Sequence, residues 1–518
     1  MLLFFLILFG SIGLKIYKAC HTGIIFEEWS NSIAFGGSLG TAIGSFSSPN
    51  NHVLNSILIS YAQKYFSSFE HFIRIPSLLA GILFSLSMAY IIYKTISSNA
   101  LRAACLALVS LVPLVFDFSY FARGYAFALG GVYAAIGFIL WLLEHKIKFR
   151  YWMIPVLVLS LMNAFALGSM LSCLLLSLAL NIVYVLFYSS KIYTTKTGSL
   201  KLMVLNGVSI LLVTFSFLFL LYRKIFKELF HTPTVDWLNK VWQEWPSFVD
   251  YLHNLLIIKV FRLDDGVSYI IFYAIVGLFI MSFIFYIYKL FISIRIGAWP
   301  EYLKVDDVSK FMLLVTGLTI IIMFIFSVPM KKSLGFERSQ LFFIPLVLTS
   351  SVIILEKFSF GLGNKKLGRI VLGIIVILVT LTTSRNLPSP YHIGSSGLSG
   401  PLLRKLKAID PEKMWNIAFS NEEVGTTSGW YYYKQFDYKF NMVQRGKYDV
   451  LICRKDSIPE NAVCLDPDYY RKINLAVVIS QPINSDKAVF EAPPKEINPP
   501  TFVPIFMRVL HDYYPCIE

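Results

Sequence analysis

Residues 1–16 read Met1-Leu2-Leu3-Phe4-Phe5-Leu6-Ile7-Leu8-Phe9-Gly10-Ser11-Ile12-Gly13-Leu14-Lys15-Ile16, and a polar island, Phe26-Glu27-Glu28-Trp29, follows soon after. Apolar runs of roughly 20 residues are what an α-helix needs to cross the ~30 Å hydrocarbon layer of a bilayer. Such runs recur along this chain, and helices are the element that satisfies every backbone N–H and C=O within its own segment in lipid. The first run has no basic n-region and no A-x-A-like cleavage site before the loop. It therefore reads as a retained first helix and not as a signal peptide.

Composition agrees. Of 518 residues, 56% are hydrophobic and 15% charged, against roughly 45–50% and about 25% in ordinary soluble domains. The mean hydropathy is +0.63. The net charge of +15 reads as Lys- and Arg-rich cytoplasmic loops, with no nucleic-acid partner implied. The six cysteines show no metal-like spacing, and Cys105 and Cys173 sit in apolar runs as small packing residues.

The pattern predicts about eleven spans, near 1–17, 76–95, 101–118, 121–143, 151–167, 169–189, 201–222, 267–290, 311–329, 341–356 and 367–384. Lys94 and Arg102, then Lys146, Lys148 and Arg150, then Lys191, Lys196 and Lys201 fall on one side, joined by Lys289, Arg295, Lys304, Lys357, Lys365, Lys366 and Arg369. The opposite turns carry fewer cations, chiefly Arg123 and the group Lys331, Lys332 and Arg338. The positive-inside rule then makes the N-terminus cytoplasmic. A first outer loop at 18–75, a second at 223–266 and everything from 385 to 518 face the exterior, with a bacterial inner membrane as the expected home.

Within the first outer loop, Val53-Leu54, Ile57-Leu58, Tyr61 and Tyr65-Phe66 recur at helical spacing, predicting an amphipathic helix along the membrane face. Phe226, Phe230, Trp237, Val241, Trp242 and Trp245 give the second loop an interfacial aromatic character. After Arg385 a Pro- and Gly-rich linker leads into a region that reads as a small α/β domain. It has a helical segment from Arg404 to Ile409, strands at Trp415–Phe419 and Asp449–Cys453, and an ordered stretch at Gly429–Tyr433. Trp430 and Tyr431 to Tyr433 read either as a sugar-stacking platform or as strand core. Cys453 and Cys464 flank a turn-like stretch, read either as a disulfide or as two unrelated thiols.

The outer-face residues form an ordered set. After the acidic pair come Asn51-His52-Val53-Leu54 and Glu70-His71-Phe72-Ile73-Arg74-Ile75-Pro76-Ser77, then Ala122-Arg123-Gly124-Tyr125-Ala126, and finally Glu337-Arg338 ahead of an apolar run. This order resembles the GT-C glycosyltransferases, in particular the family-39-like group of protein O-mannosyltransferases and lipid A aminoarabinose transferases. The resemblance covers about residues 20–130 and again about 330–350. It implies transfer of a sugar from a polyprenyl-phosphate donor to a lipid, polysaccharide or protein acceptor outside the cytoplasm, usually with inversion.

Under that resemblance Glu27 is the general base for the acceptor hydroxyl, and Glu28 holds the acceptor or orients Glu27. Relatives carry Asp-Glu here, so Glu27 is one methylene longer; the alternative is a pair of acids at a helix N-terminus. Asp117 stands as a second acidic group near the site. Arg123 and Arg338 suit the departing lipid phosphate, or else snorkel to the interface. Glu337 and Tyr125 join the substrate-binding set, and His52 matches a histidine that relatives place near the sugar. Some relatives bind a divalent metal through a glutamate before the second helix and a distant histidine, which implies Glu70 with His231 or His253. Arg74 reads as structural.

The main rival is a transporter or flippase of lipid-linked saccharides, in which the same acids couple protons or bind substrate. A third reading is a non-catalytic assembly subunit with a sugar-binding tail. No phosphate-binding G-x-x-x-x-G-K-[ST] loop, zinc-protease helix or C-x-x-C pair occurs.

Overall fold

The computed structural model describes residues 1–21, 28, 52–66, 71–145, 153–170, 173–195, 208, 214, 283–298, 303, 308–327, 341–361 and 373, and five strands between 415 and 479. Its helices are α1 (Leu2–His21), α2 (Val53–Phe66), α3 (Ile75–Thr95), α4 (Asn99–Leu111), α5 (Pro113–Phe118), α6 (Tyr125–Glu144), α7 (Met153–Ser169), α8 (Cys173–Thr195), α9 (Val308–Ser327) and α10 (Phe343–Gly361), with a 3₁₀ turn at Phe72–Arg74 before α3. Residues 283–295 are also helical. Among the described residues, four helices are long and apolar enough to cross a membrane: α1, the unit of the 3₁₀ turn with α3, α6 and α8. Four shorter apolar helices accompany them, at Asn99–Leu111, Met153–Ser169, Val308–Met323 and Phe343–Ile354. The chain is thus an integral, multi-helix membrane protein. The expected spans at 201–222 and 367–384, apart from residues 208, 214 and 373, lie outside the described residues.

One expected span is corrected. The run 101–118 is two helices, because Val112 leaves the helical region at φ −59, ψ 117 and Pro113 opens α5. Proline has no N–H to give and disfavours helix in the residue before it.

α6 is the axis of the bundle, packing most extensively on α3 and α7. Its 20 residues span about 30 Å, the thickness of the apolar layer. Small residues let neighbouring backbones approach, as membrane helices require when no hydrophobic force separates protein from lipid. A Cβ on Gly130 would stand 2.7 Å from the Ala80 carbonyl of α3, and one on Gly131 would stand 2.8 Å from the Met162 carbonyl of α7. Gly81 is tighter still: a Cβ there would collide with the Ser119 carbonyl.

At the C-terminal end of α6, Lys191 donates to the carbonyls of Leu142, Leu143 and His145 at 3.0, 2.8 and 2.7 Å. These groups are acceptors that an α-helix leaves unsatisfied. Lys94 pairs with Glu144 at 2.6 Å, and Arg102 lies over the Tyr93 ring. Glu356 of α10 accepts from Ser97 N, Ser97 Oγ and Ser98 N at the start of α4. Lys94, Arg102, Lys191 and the Glu356–Lys357 pair therefore share one end of the bundle. Tyr125, at the N-terminus of α6, marks the other.

The strands form one five-stranded mixed sheet in the order β2-β1-β3-β5-β4, with β1 at Trp415–Phe419, β2 at Phe440–Val443, β3 at Val450–Arg454, β4 at Val463–Cys464 and β5 at Leu475–Ile479. β1 pairs in parallel with β2 and β3, and β5 runs antiparallel to β3 and β4. The two strands read from sequence are β1 and β3; Arg404–Ile409 and Gly429–Tyr433 lie outside the described residues. The register separates the cysteines considered for a disulfide. Cys453 faces Ala476 and Cys464 faces Val478, with β5 between them. Two strand spacings of about 4.8 Å exceed the ~7 Å Cα separation that a bridge tolerates.

By compactness the chain falls into one unit of residues 1–16, 34–67 and 72–385, and a second of 17–33, 68–71 and 386–518. Replacing Gly81 with alanine should cost about 3 kcal/mol of stability, read as a lower thermal midpoint in detergent. Gly10→Ala and Gly13→Ala, where a Cβ meets nothing within 4 Å, should leave the midpoint unchanged.

Candidate functional site

The turn Ser119–Gly124 between α5 and α6 carries a cluster of buried polar residues at the α6 N-terminal end. Its first half folds back by hydrogen bonds from Ser119 N to Val115 and Phe116 O, and from Phe121 N to Asp117 O. Ser119 Oγ returns to Phe116 O at 2.6 Å, and Arg123 N donates to Phe121 O at 2.6 Å. Gly124 then starts α6 without a side-chain cap. A Cβ at Gly124 would lie 2.7 Å from Cβ, Cγ and Nδ1 of His52. The glycine in Arg123-Gly124-Tyr125 therefore lets the histidine seat against the turn.

His52 immediately precedes α2, and its carbonyl accepts from Ser56 N at 2.9 Å. Its Nδ1 lies 2.7 Å from the Ser169 carbonyl at the end of α7. A carbonyl only accepts, so Nδ1 carries a proton and donates it to Ser169 O. The imidazole packs edge-on to Tyr125 at 5.0 Å, and Tyr125 in turn meets Phe118 at 4.6 Å.

Two cations are buried here. Arg123 is 4% exposed and its guanidinium carbon lies 5.7 Å from the Tyr125 ring centroid. Arg74, ending the 3₁₀ turn, is 1% exposed and stands 5.8 and 5.5 Å from the rings of Tyr120 and Phe121. Electron-rich ring faces stabilise a desolvated guanidinium by roughly 2 kcal/mol. Asp117 is buried with them, accepting from Tyr120 Oη at 3.2 Å.

Asn55 and Ser77 complete the cluster. Asn55 Nδ2 donates to Ala122 O at 3.1 Å, and Ser77 Oγ lies 3.1 Å from Asn55 Oδ1 and 3.2 Å from Arg123 O. Asn55 was missed at the level of sequence. It lies on the polar side of an otherwise amphipathic helix, three residues after a flagged histidine, and only its contact with the distant Ala122 carbonyl reveals its part.

His52, Asp117, Arg123 and Tyr125 are thus gathered at one end of one unit, with Arg74, which the sequence reading had set aside as structural, in their company. Glu28 is helical and fully buried, and belongs to the second unit. Glu27, Glu70, His231, His253, Glu337 and Arg338 lie outside the described residues. Among the described residues, no three of His, Cys, Asp or Glu group as metal ligands do.

No family model matches the chain, and no curated protein does. Among solved structures the chain is similar to the archaeal oligosaccharyltransferase AglB from Archaeoglobus fulgidus, solved in complex with an inhibitory peptide and a dolichol-phosphate. The likeness has 11% sequence identity and a TM-score of 0.41, and covers 88% of this chain and 69% of that one. At that distance it carries no argument about chemistry, so the functional reading rests on the residues of the cluster.

The seat of His52 is open to a coupling test. Gly124→Ala should lower stability by about 1–3 kcal/mol. His52→Gly in the same molecule should recover at least about 1 kcal/mol relative to additivity, read from denaturation midpoints of the four proteins in the cycle.

Proposed function

We propose that this protein is an integral-membrane glycosyltransferase that moves a sugar from a polyprenyl-phosphate carrier to a lipid, polysaccharide or protein acceptor on the extracytoplasmic face, and that the Arg123 cluster receives the carrier's phosphate. The observation that supports it most is the company of Arg123. Two guanidiniums and an imidazole are buried at one end of the bundle beside aromatic faces, together with the carboxylate of Asp117. Cations withdrawn from water are stabilised by an anion that brings several oxygens, and guanidinium grips phosphate bidentately.

In the proposed reaction the acceptor oxygen attacks the anomeric carbon while the bond from that carbon to the phosphate oxygen breaks. The bonding pair leaves with the phosphate, whose growing charge Arg123 stabilises, together with Arg338. The acceptor proton passes to Glu27, and attack opposite the leaving group inverts the centre. Glu28 orients the base or the acceptor, Asp117 and Glu337 border the sugar, and His52 and Tyr125 hold its oxygens. A divalent ion, where bound, would be held by Glu70 with His231 or His253 and would supply positive charge for the departing phosphate. The end of the bundle carrying Lys94, Arg102 and Lys191 is the cytoplasmic one, in a bacterial inner membrane.

A transporter of lipid-linked saccharides is the second reading, and Lys15 is the observation that favours it. This lysine of α1 is fully buried, donating to Ser85 Oγ of α3 at 2.7 Å, at the mid-depth where carriers place ionisable groups.

Purified protein incubated with a panel of polyprenyl-phosphate sugars, with and without chelator, should release lipid phosphate. Arg123→Ala should lower kcat by about 10²–10³. Glu27→Gln should lower it by about 10²–10⁴ while donor binding is retained. Turnover absent across a broad panel would move the assignment to the transporter, and chelator-insensitive turnover would remove the metal.

A further inference from the structure

The turn that carries Arg123 has its backbone held from two other helices. Asn55 of α2 donates Nδ2 to Ala122 O, and Ser77 of α3 lies within hydrogen-bond reach of both Asn55 Oδ1 and Arg123 O. The orientation of the amide is fixed by chemistry: a carbonyl at Ala122 can only accept, so the amide nitrogen faces it and Oδ1 faces Ser77. Ser77 then has one proton and two acceptors, a three-centre arrangement shared between Asn55 and the Arg123 carbonyl. Both side chains are fully buried, so water does not replace either bond cheaply.

We infer that Asn55 and Ser77 are positioning residues that set where the Arg123 guanidinium meets a phosphate. This rests on the proposed phosphate site and adds how that site is held. The two carbonyls they grip flank the Cα of Arg123, and the next residue, Gly124, is braced from its other side by His52. Three consecutive residues are thereby held by α2, by the histidine just before it and by α3. Neither Asn55 nor Ser77 need touch substrate. Their influence passes through the backbone, and displacement of a binding group by roughly 1 Å is enough to cost about 10²-fold in rate.

The test uses the full chain in lipid nanodiscs, with undecaprenyl phosphate as the probe, for wild type, Ser77→Ala, Ser77→Thr, Asn55→Ala and Arg123→Ala. Binding is read together with hydrogen exchange over the peptide spanning residues 119–126 and with the thermal midpoint. Ser77→Ala and Asn55→Ala are expected to weaken binding about tenfold and to speed exchange in that peptide. Ser77→Thr keeps the hydroxyl and should restore both, and a merely structural loss would instead track the thermal midpoint.

If Arg123→Ala abolishes binding while Ser77→Ala and Asn55→Ala bind as wild type does, the positioning role is overturned and the phosphate site stands. If wild type fails to bind, or Arg123→Ala binds equally well, the phosphate site is overturned. The backbone hold is then decided by exchange alone, and unchanged exchange in Ser77→Ala overturns it too. Should Asn55→Ala not fold, the Ser77 pair decides the matter.

Discussion

The contact on which the rest of the structure depends is the backbone approach between α3 and its neighbours at Ala80-Gly81. On one side the Ala80 carbonyl fills the place that a Cβ of Gly130 would take, and on the other Gly81 presses on the Ser119 carbonyl. α3 is therefore in van der Waals contact, backbone to backbone, with both α6 and the turn that precedes it. In lipid such proximity is a main source of helix–helix attraction, because apolar side chains gain little by exchanging lipid for protein. The two contacts fix the height at which α6 begins, and with it the position of Arg123, Gly124 and Tyr125 relative to Ser77 at the top of the same helix. A wider spacing would separate Ser77 Oγ from the Arg123 carbonyl.

Burying two guanidiniums beside this contact carries a desolvation cost that must be offset locally. The sequence does so with rings: Tyr120 and Phe121 under Arg74, and Tyr125 under Arg123. The rings also brace one another, Phe118 against Phe121 and Tyr125, and Tyr120 against Phe116 and Phe121. Each cation therefore rests on ring faces that are themselves packed against other rings.

Much of this was legible in the order of residues. Membrane class followed from apolar run length, and the shared end of Lys94, Arg102, Lys191 and Lys357 followed from loop charge, since both are one-dimensional properties of the chain. The convergence of His52 with Arg123 and Tyr125 was accessible through a motif whose central glycine has a steric reason, the seat of the imidazole. What sequence left hidden depends on three-dimensional pairing. Asn55 looks like any polar residue on an amphipathic helix until Ala122 is placed opposite it. Cys453 and Cys464 look like partners across a turn until the register inserts β5 between their strands. The break at Val112–Pro113 was there to be read, but hydropathy averages over it, so 101–118 passes for one span.

The distribution of charge by depth bears on enzyme against carrier. Among the described residues, His52, Arg74, Asp117 and Arg123 gather at one end of the bundle, and Lys94, Arg102, Glu144, Lys191 and Glu356 at the other, with Lys15 between them. Ser85 lies ten residues into α3, about 15 Å from its start, so the Lys15 amine meets it near mid-bilayer. A relay at that depth would hand its proton to a further titratable group. Lys15 instead donates to Ser85, which donates to the Gly81 carbonyl, the same residue whose Cα abuts Ser119. The lysine is tied into the packing of α3 and lies over the Phe84 ring, which makes it a strut between α1 and α3. Among the described residues, the amine of Lys15 is thus engaged in helix packing at that depth.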